Sequence, residues 1–202
     1  IPTNLIAAVG EMQRKLRPFL DGSKNESELP PGQVGAVCDQ LKHALAMQSE
    51  RGPDELHEFG TVVRREAYRF LMRSKLIQLA QGQGVTSHPV LEAIRDQRVL
   101  SHNELGRQTE EWFLSAPYAT AVAAGCSFIG EYIREAYRPD AETWRVTSLS
   151  RGSTGELFQA IEDLGCPGNL RVTCVDDHLE ALSAAGQFAE RLDMTGTLSL
   201  VR

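Results

Sequence analysis

Cysteine is scarce in this chain of 202 residues, and Cys38, Cys126, Cys166 and Cys174 stand far apart, with no Cys-x-x-Cys pair and no histidine at ligand spacing. That excludes a disulfide framework and a patterned zinc site, so the thiols read as reduced and mostly buried, with no metal implied. Positive charge is also short: 21 Lys and Arg against 27 Asp and Glu give a formal net charge of −6. General affinity for nucleic acid or for an anionic membrane needs a large positive field, so neither partner is expected. No apolar run approaches the roughly 20 residues of a membrane-spanning helix, which points to a cytoplasmic protein. Repeats and low-complexity tracts are missing, as are Gly-x-Ser-x-Gly, a P-loop and His-Glu-x-x-His, so hydrolase and nucleoside-triphosphatase readings have no local support. The length suffices for one large domain or two small ones. The first residue is Ile1 rather than Met, which is compatible with a removed leader or an upstream domain.

What is present changes character near residue 139. Residues 1–138 read as a helical domain. Leu5, Val9, Met12 and Leu16 recur at helical steps, and Pro18 is expected to end or kink that first helix. Pro30-Pro31-Gly32 breaks the chain, and a second helix is predicted over 33–49. A long third helix is predicted over 54–81, with Leu56, Phe59, Val62, Val63, Phe70, Leu71 and Leu76 as its apolar positions. Shorter helices are predicted over 88–97 and 102–115, and Pro117 opens another that reaches Tyr137. Residues 139–202 read as β-α-β-α-β, with strands over 144–149, 170–175 and 197–201 and helices over 154–164 and 178–192. This is a partial Rossmann-like cofactor domain, so the fold class is α/β with a helical N-terminal domain.

Residues 146–177 carry the chemistry. A strand ends at Leu149 and is followed by Ser150-Arg151-Gly152-Ser153-Thr154-Gly155, a helix, a second strand and then Asp176-Asp177. In an open parallel sheet this order sets the backbone N–H groups of the turn beside the end of the first strand, with the acid at the end of the second placed to bind a ribose diol. The candidate cofactor-binding residues are therefore Ser150, Arg151, Gly152, Asp176 and Asp177. Other roles for the same residues are Ser153 or Thr154 as a helix N-cap, Glu156 complementing the helix dipole, and Asp as a cap for the next helix. His178 follows the acid pair without any nucleophile or metal pattern around it, and reads as a surface position in the first turn of a helix. Arg64, Arg65, Arg69, Arg73 and Lys75 read as a solvated helix face with Glu66 as a local partner.

Several segments together resemble the class I S-adenosylmethionine-dependent methyltransferase family of bacterial extracellular-factor (3-hydroxypalmitate methyl ester) biosynthesis proteins. They are Glu66-Ala67-Tyr68-Arg69-Phe70-Leu71-Met72-Arg73-Ser74, Leu105-Gly106-Arg107-Gln108, Trp112-Phe113-Leu114-Ser115-Ala116-Pro117, and residues 119–123. The most specific are Val146-Thr147-Ser148-Leu149 and Val175-Asp176-Asp177-His178-Leu179-Glu180-Ala181-Leu182. The resemblance implies S-adenosylmethionine as cofactor, with Gly152 under its methionine end and Asp176 on its ribose hydroxyls. The implied reaction is methyl transfer to a carboxylate or hydroxyl acceptor, and no catalytic residue can be named. The family's turn carries Leu-Gly-Cys-Gly or Leu-Ala-Cys-Gly where this chain has Leu149-Ser150-Arg151-Gly152. The family's Pro-Gly-Asp-Tyr segment is replaced by Gly82-Gln83-Gly84-Val85-Thr86-Ser87-His88, and its later strands have no counterpart here.

Two alternatives stay open at this point. Ser150-x-Gly152-x-x-Gly155 followed about 20 residues later by Asp176 also matches a dinucleotide fingerprint whose first Gly is replaced, which would mean NAD. The other alternative is a noncatalytic pseudo-methyltransferase acting as a dimerising regulatory or scaffold module. With three strands in the order 3-2-1 the first becomes an edge, which needs cover, a second copy or a completing segment. A homodimer through residues 146–149 or through the apolar helix with Val122, Phe128, Ile129 and Ile133 is the expectation.

Overall fold

The computed structural model describes residues 2–48, 50–149 and 154–202. The chain divides into two compact units, Ile1–Gln78 with Val99–Ala116, and Leu79–Arg98 with Pro117–Arg202. These limits differ from the change in sequence character at residue 139, because two helices upstream of it group with the strands.

The first unit is helical. It holds α1 (Thr3–Leu20), α2 (Gln33–Ala46), α3 (Pro53–Leu71), the start of α4 (Lys75–Gln83) and α6 (Glu104–Ser115). Met12, Leu16 and Phe19 of α1 pack with Val34, Val37 and Leu41 of α2, Ala67 and Phe70 of α3, and Leu105 of α6. Pro18, expected to end or kink the first helix, lies inside α1, which continues to Leu20. The carbonyl it leaves without an intrahelical donor belongs to Arg14, which faces solvent, while buried Leu16 and Phe19 anchor the last turn. The long helix expected over 54–81 is broken at Met72–Ser74 into α3 and α4. Ser74 Oγ accepts from the Ile77 N–H at 3.0 Å, and buried Glu110 of α6 accepts from the Leu76 N–H at 3.0 Å. These acceptors start a new helix by satisfying N–H groups that a continuous helix would have bonded internally.

The second unit carries α5 (His88–Arg95), α7 (Pro117–Ala136), β1 (Trp144–Leu149), α8 (Gly155–Asp163), β2 (Leu170–Val175), α9 (Leu179–Arg191) and β3 (Leu198–Val201). All pairings are parallel and the order is β1-β2-β3, with β1 at an edge. One face of the sheet, bearing Trp144, Val146, Leu170, Val172 and Cys174, packs against Leu157, Phe158 and Ile161 of α8 and Leu182, Ala185 and Ala189 of α9. Ile133 joins α7 to the same core. The protein is thus an α/β chain, mostly helical, with a small parallel sheet.

Candidate functional site at the ends of the strands

Strand register fixes the acidic pair. Leu149 is opposite Val175, so Asp176 begins one residue beyond the paired end of β1. The Asp176 N–H donates to the Val201 carbonyl at 3.1 Å, which ties that residue into the β3 side of the sheet as well. Its side chain is only 2 % exposed, whereas that of Asp177 is 62 % exposed. The two candidates therefore face different surroundings. Ser150, Arg151 and Gly152 lie outside the described residues, as does Ser153.

His178 organises the acids. Its backbone N–H donates to Asp176 Oδ1 at 2.8 Å, and its ring Nδ1 lies 3.2 Å from Asp176 Oδ1 and 2.6 Å from Asp177 Oδ1. The hydrogen bond the ring donates to Asp176, then that to Asp177, stabilises the imidazolium and raises its pKa from the ordinary histidine value. The sequence pattern held no ligand spacing, yet ligand-capable atoms of Asp176, Asp177 and His178 come within 4.8 Å of one another. Three consecutive residues at a strand end are drawn together by the turn itself, a juxtaposition that spacing rules for helices or loops do not reveal.

Above the start of α8 stands a residue the sequence did not single out. The Arg95 guanidinium, from the last turn of α5, occupies the place where a Cβ on Gly155 would be. Its Nε donates to Asp96 Oδ1 at 2.7 Å. Burial works against its charge, but the carboxylates of Asp96, Glu92 and Glu156 outweigh that and raise its pKa. Thr154 holds the N-cap position of α8, 3 % exposed, without a capping hydrogen bond. Its Oγ1 has no hydrogen-bond partner among the described residues. No family model, curated protein or solved structure matches this chain.

A polar cavity of about 330 Å³ adjoins this corner, lined by Arg95, Cys126, Gly130, Arg134, Glu156 and Gln159 among others. Burial raises the Cys126 thiol pKa, and burial with the nearby Asp176 charge pushes Cys174 up to about 11. Neither thiol supplies a thiolate nucleophile near neutral pH. What the described residues can do is bind: a carboxylate for hydroxyl donors and a guanidinium beside a helix start for an anionic group. No single helix among the described residues is long and apolar enough to cross a membrane.

Proposed function

We propose that the second unit is a Rossmann-like cofactor domain of class I methyltransferase type, which binds S-adenosylmethionine and transfers its methyl group to a carboxylate or hydroxyl acceptor in the cytoplasm. The observation that carries this reading is the placement of Asp176 at the carboxyl end of β2, next to the end of β1, in a parallel β-α-β-α-β sheet. Ligands of open α/β sheets sit outside the carboxyl ends of the strands, and an acid at the second strand end is the usual acceptor for ribose hydroxyls. Three side chains near the strand ends have the chemistry to support this reading. Asp176 would accept from the ribose diol, the Thr154 hydroxyl, which has no hydrogen-bond partner among the described residues, lies at the start of α8, and Arg95 supplies a cation for the carboxylate of the cofactor's amino-acid end. The cofactor supplies the electrophilic methyl group, and the chain's part is to bind, orient and exclude water.

A second reading is favoured by one specific observation. The Asp176 carboxylate is nearly inaccessible and already accepts from the His178 N–H. That suits a noncatalytic, self-associating module in which the acid locks the β2–α9 turn. Isothermal titration with S-adenosylmethionine and S-adenosylhomocysteine separates the two. On the first reading the wild type binds at micromolar concentration, and Asp176→Ala weakens binding at least about tenfold, the loss of one charge-assisted hydrogen-bond set. Absence of heat from folded wild-type protein at millimolar ligand rejects the first reading.

A further inference from the structure

Parallel sheets are normally covered on both faces. Here α8 and α9 cover one face, and the side chains of the other form three rows across the strands, read directly from the register. Leu149, Val175 and Val201 make an apolar row at the carboxyl ends. Thr147, Thr173 and Ser199 make a hydroxyl row behind it, and Arg145 lies opposite Arg171 in a third. Leu149 is 80 % exposed and Val201 44 %. Both arginines are exposed, and neither has an ion-pair partner among the described residues; Arg171 donates to the carbonyls of Gly168 and Leu170. Two like charges opposite each other are destabilising unless something answers them. A cover for this face must therefore be apolar at one end and acidic at the other.

The same unit displays such a surface. On α7, Cys126, Gly130 and Ile133 lie on the side that packs inward, and Phe128, Ile129 and Tyr132 stand out, 67 %, 45 % and 64 % exposed. Glu131 and Glu135 are exposed beside them. Phe128 and Glu135 are seven residues apart, about 10 Å along a helix. Leu149 and Arg145 are four apart, about 13 Å along a strand. Three strands present a face roughly one helix wide.

We propose that α7 of a second copy of this chain docks on the open sheet face. It runs antiparallel to the strands, with Phe128 on the Leu149, Val175 and Val201 row, Glu131 and Tyr132 over the hydroxyl row, and Glu135 facing Arg145 and Arg171. This is the direction a crossover helix takes on a parallel sheet, and it covers two apolar surfaces and two unanswered cations in one contact. It gives the self-association of the second reading a surface, and it does not depend on cofactor binding.

Light scattering after size exclusion tests it with two charge-reversed proteins, Arg145→Glu with Arg171→Glu, and Glu131→Arg with Glu135→Arg. The wild type is expected to self-associate at micromolar concentration. Each reversed protein alone presents like charges across the contact and should dissociate, with a dissociation constant raised about tenfold or more. An equimolar mixture of the two restores opposite charges at every such contact and should re-form the assembly. Circular dichroism confirms that each variant is folded, and Phe128→Asp, at an exposed position, should dissociate the wild type independently. A monomeric wild type overturns self-association itself. An assembly that survives either reversal, or a mixture that stays monomeric, overturns this surface while leaving self-association standing.

Discussion

Glu110 illustrates how one residue can hold a fold together without any sequence signal. It is fully buried, and among the described residues no cation contributes to its pKa shift. It accepts instead from Ser74 Oγ at 3.0 Å, the Leu76 N–H at 3.0 Å, the Leu100 and Ser101 N–H groups at 2.5 and 2.9 Å, and Ser101 Oγ at 2.5 Å. Burial alone would raise its pKa, but the bonds from Ser101, Leu76 and Leu100 outweigh burial and lower it below 4.5. A carboxylate with a depressed folded pKa contributes stability that is present above its unfolded pKa and is lost as pH falls through the folded value. Glu110→Gln places an amide donor against existing donors and should cost about 1–3 kcal/mol at pH 7. Below the folded pKa the wild type carries a proton in the same place, so the gap should narrow in acid. Urea unfolding of both proteins at pH 7 and pH 3 measures this, and an equal gap at the two pH values would contradict it. Nothing local in the sequence marks Glu110, because its donors come from segments 9 to 36 residues away. Asp176 was legible for the opposite reason, since its position follows from where a β strand ends.

Among the elements, those with local punctuation were the legible ones. Pro53 and Pro117 open α3 and α7, alternation marks β1 and β2, and all three strands lie within a residue of their predicted limits. The break between α3 and α4 was not legible, since apolar positions continue in helical phase across it and the capping groups come from Ser74 and distant Glu110. Glycine shows the same division between local and tertiary causes. Gly60 lies mid-helix in α3, and a Cβ there would meet nothing within 4 Å. Gly106 in α6 is pressed against the preceding break: a Cβ would strike the Arg73 carbonyl oxygen and lie 2.7 Å from Ser101 Oγ. That carbonyl is held by Asn103 Nδ2 at 3.0 Å and cannot move aside freely. Helix propensity favours alanine by about 1 kcal/mol at both positions, whereas overpacking costs about 1–3 kcal/mol at one. Gly60→Ala should therefore raise the unfolding midpoint and Gly106→Ala lower it. Thermal and urea denaturation decide the signs, and a stabilised Gly106→Ala protein would show that α6 can shift away from Arg73.

For the whole molecule the sequence boundary at 138/139 and the compact units part company, and the difference has a physical cause. Secondary-structure character changes where the first strand approaches, but a sheet of three strands cannot bury its core unaided. Ile133 of α7 belongs to the cluster built by Leu157, Phe158 and Ile161, and the Tyr137 ring meets Trp144 edge-on at 5.3 Å between centroids. Asn169 fastens the connection, donating to the Arg138 and Ala141 carbonyls at 3.1 and 2.9 Å. A helix that supplies core to a following sheet looks, in sequence, like one more helix of the preceding bundle, so periodicity groups it with the helices before it. The consequence is measurable on fragments. Residues 139–202 alone leave α8 without Ile133 and expose about a side-chain's worth of core in a fragment already near the lower size limit for independent folding. That fragment should show no cooperative thermal transition by circular dichroism. Residues 117–202 restore α7 and should gain residual structure and a measurable transition. Cooperative unfolding of 139–202 at the same midpoint as 117–202 would mean that α7 contributes nothing to the sheet's stability, and that the change in sequence character is the folding boundary after all.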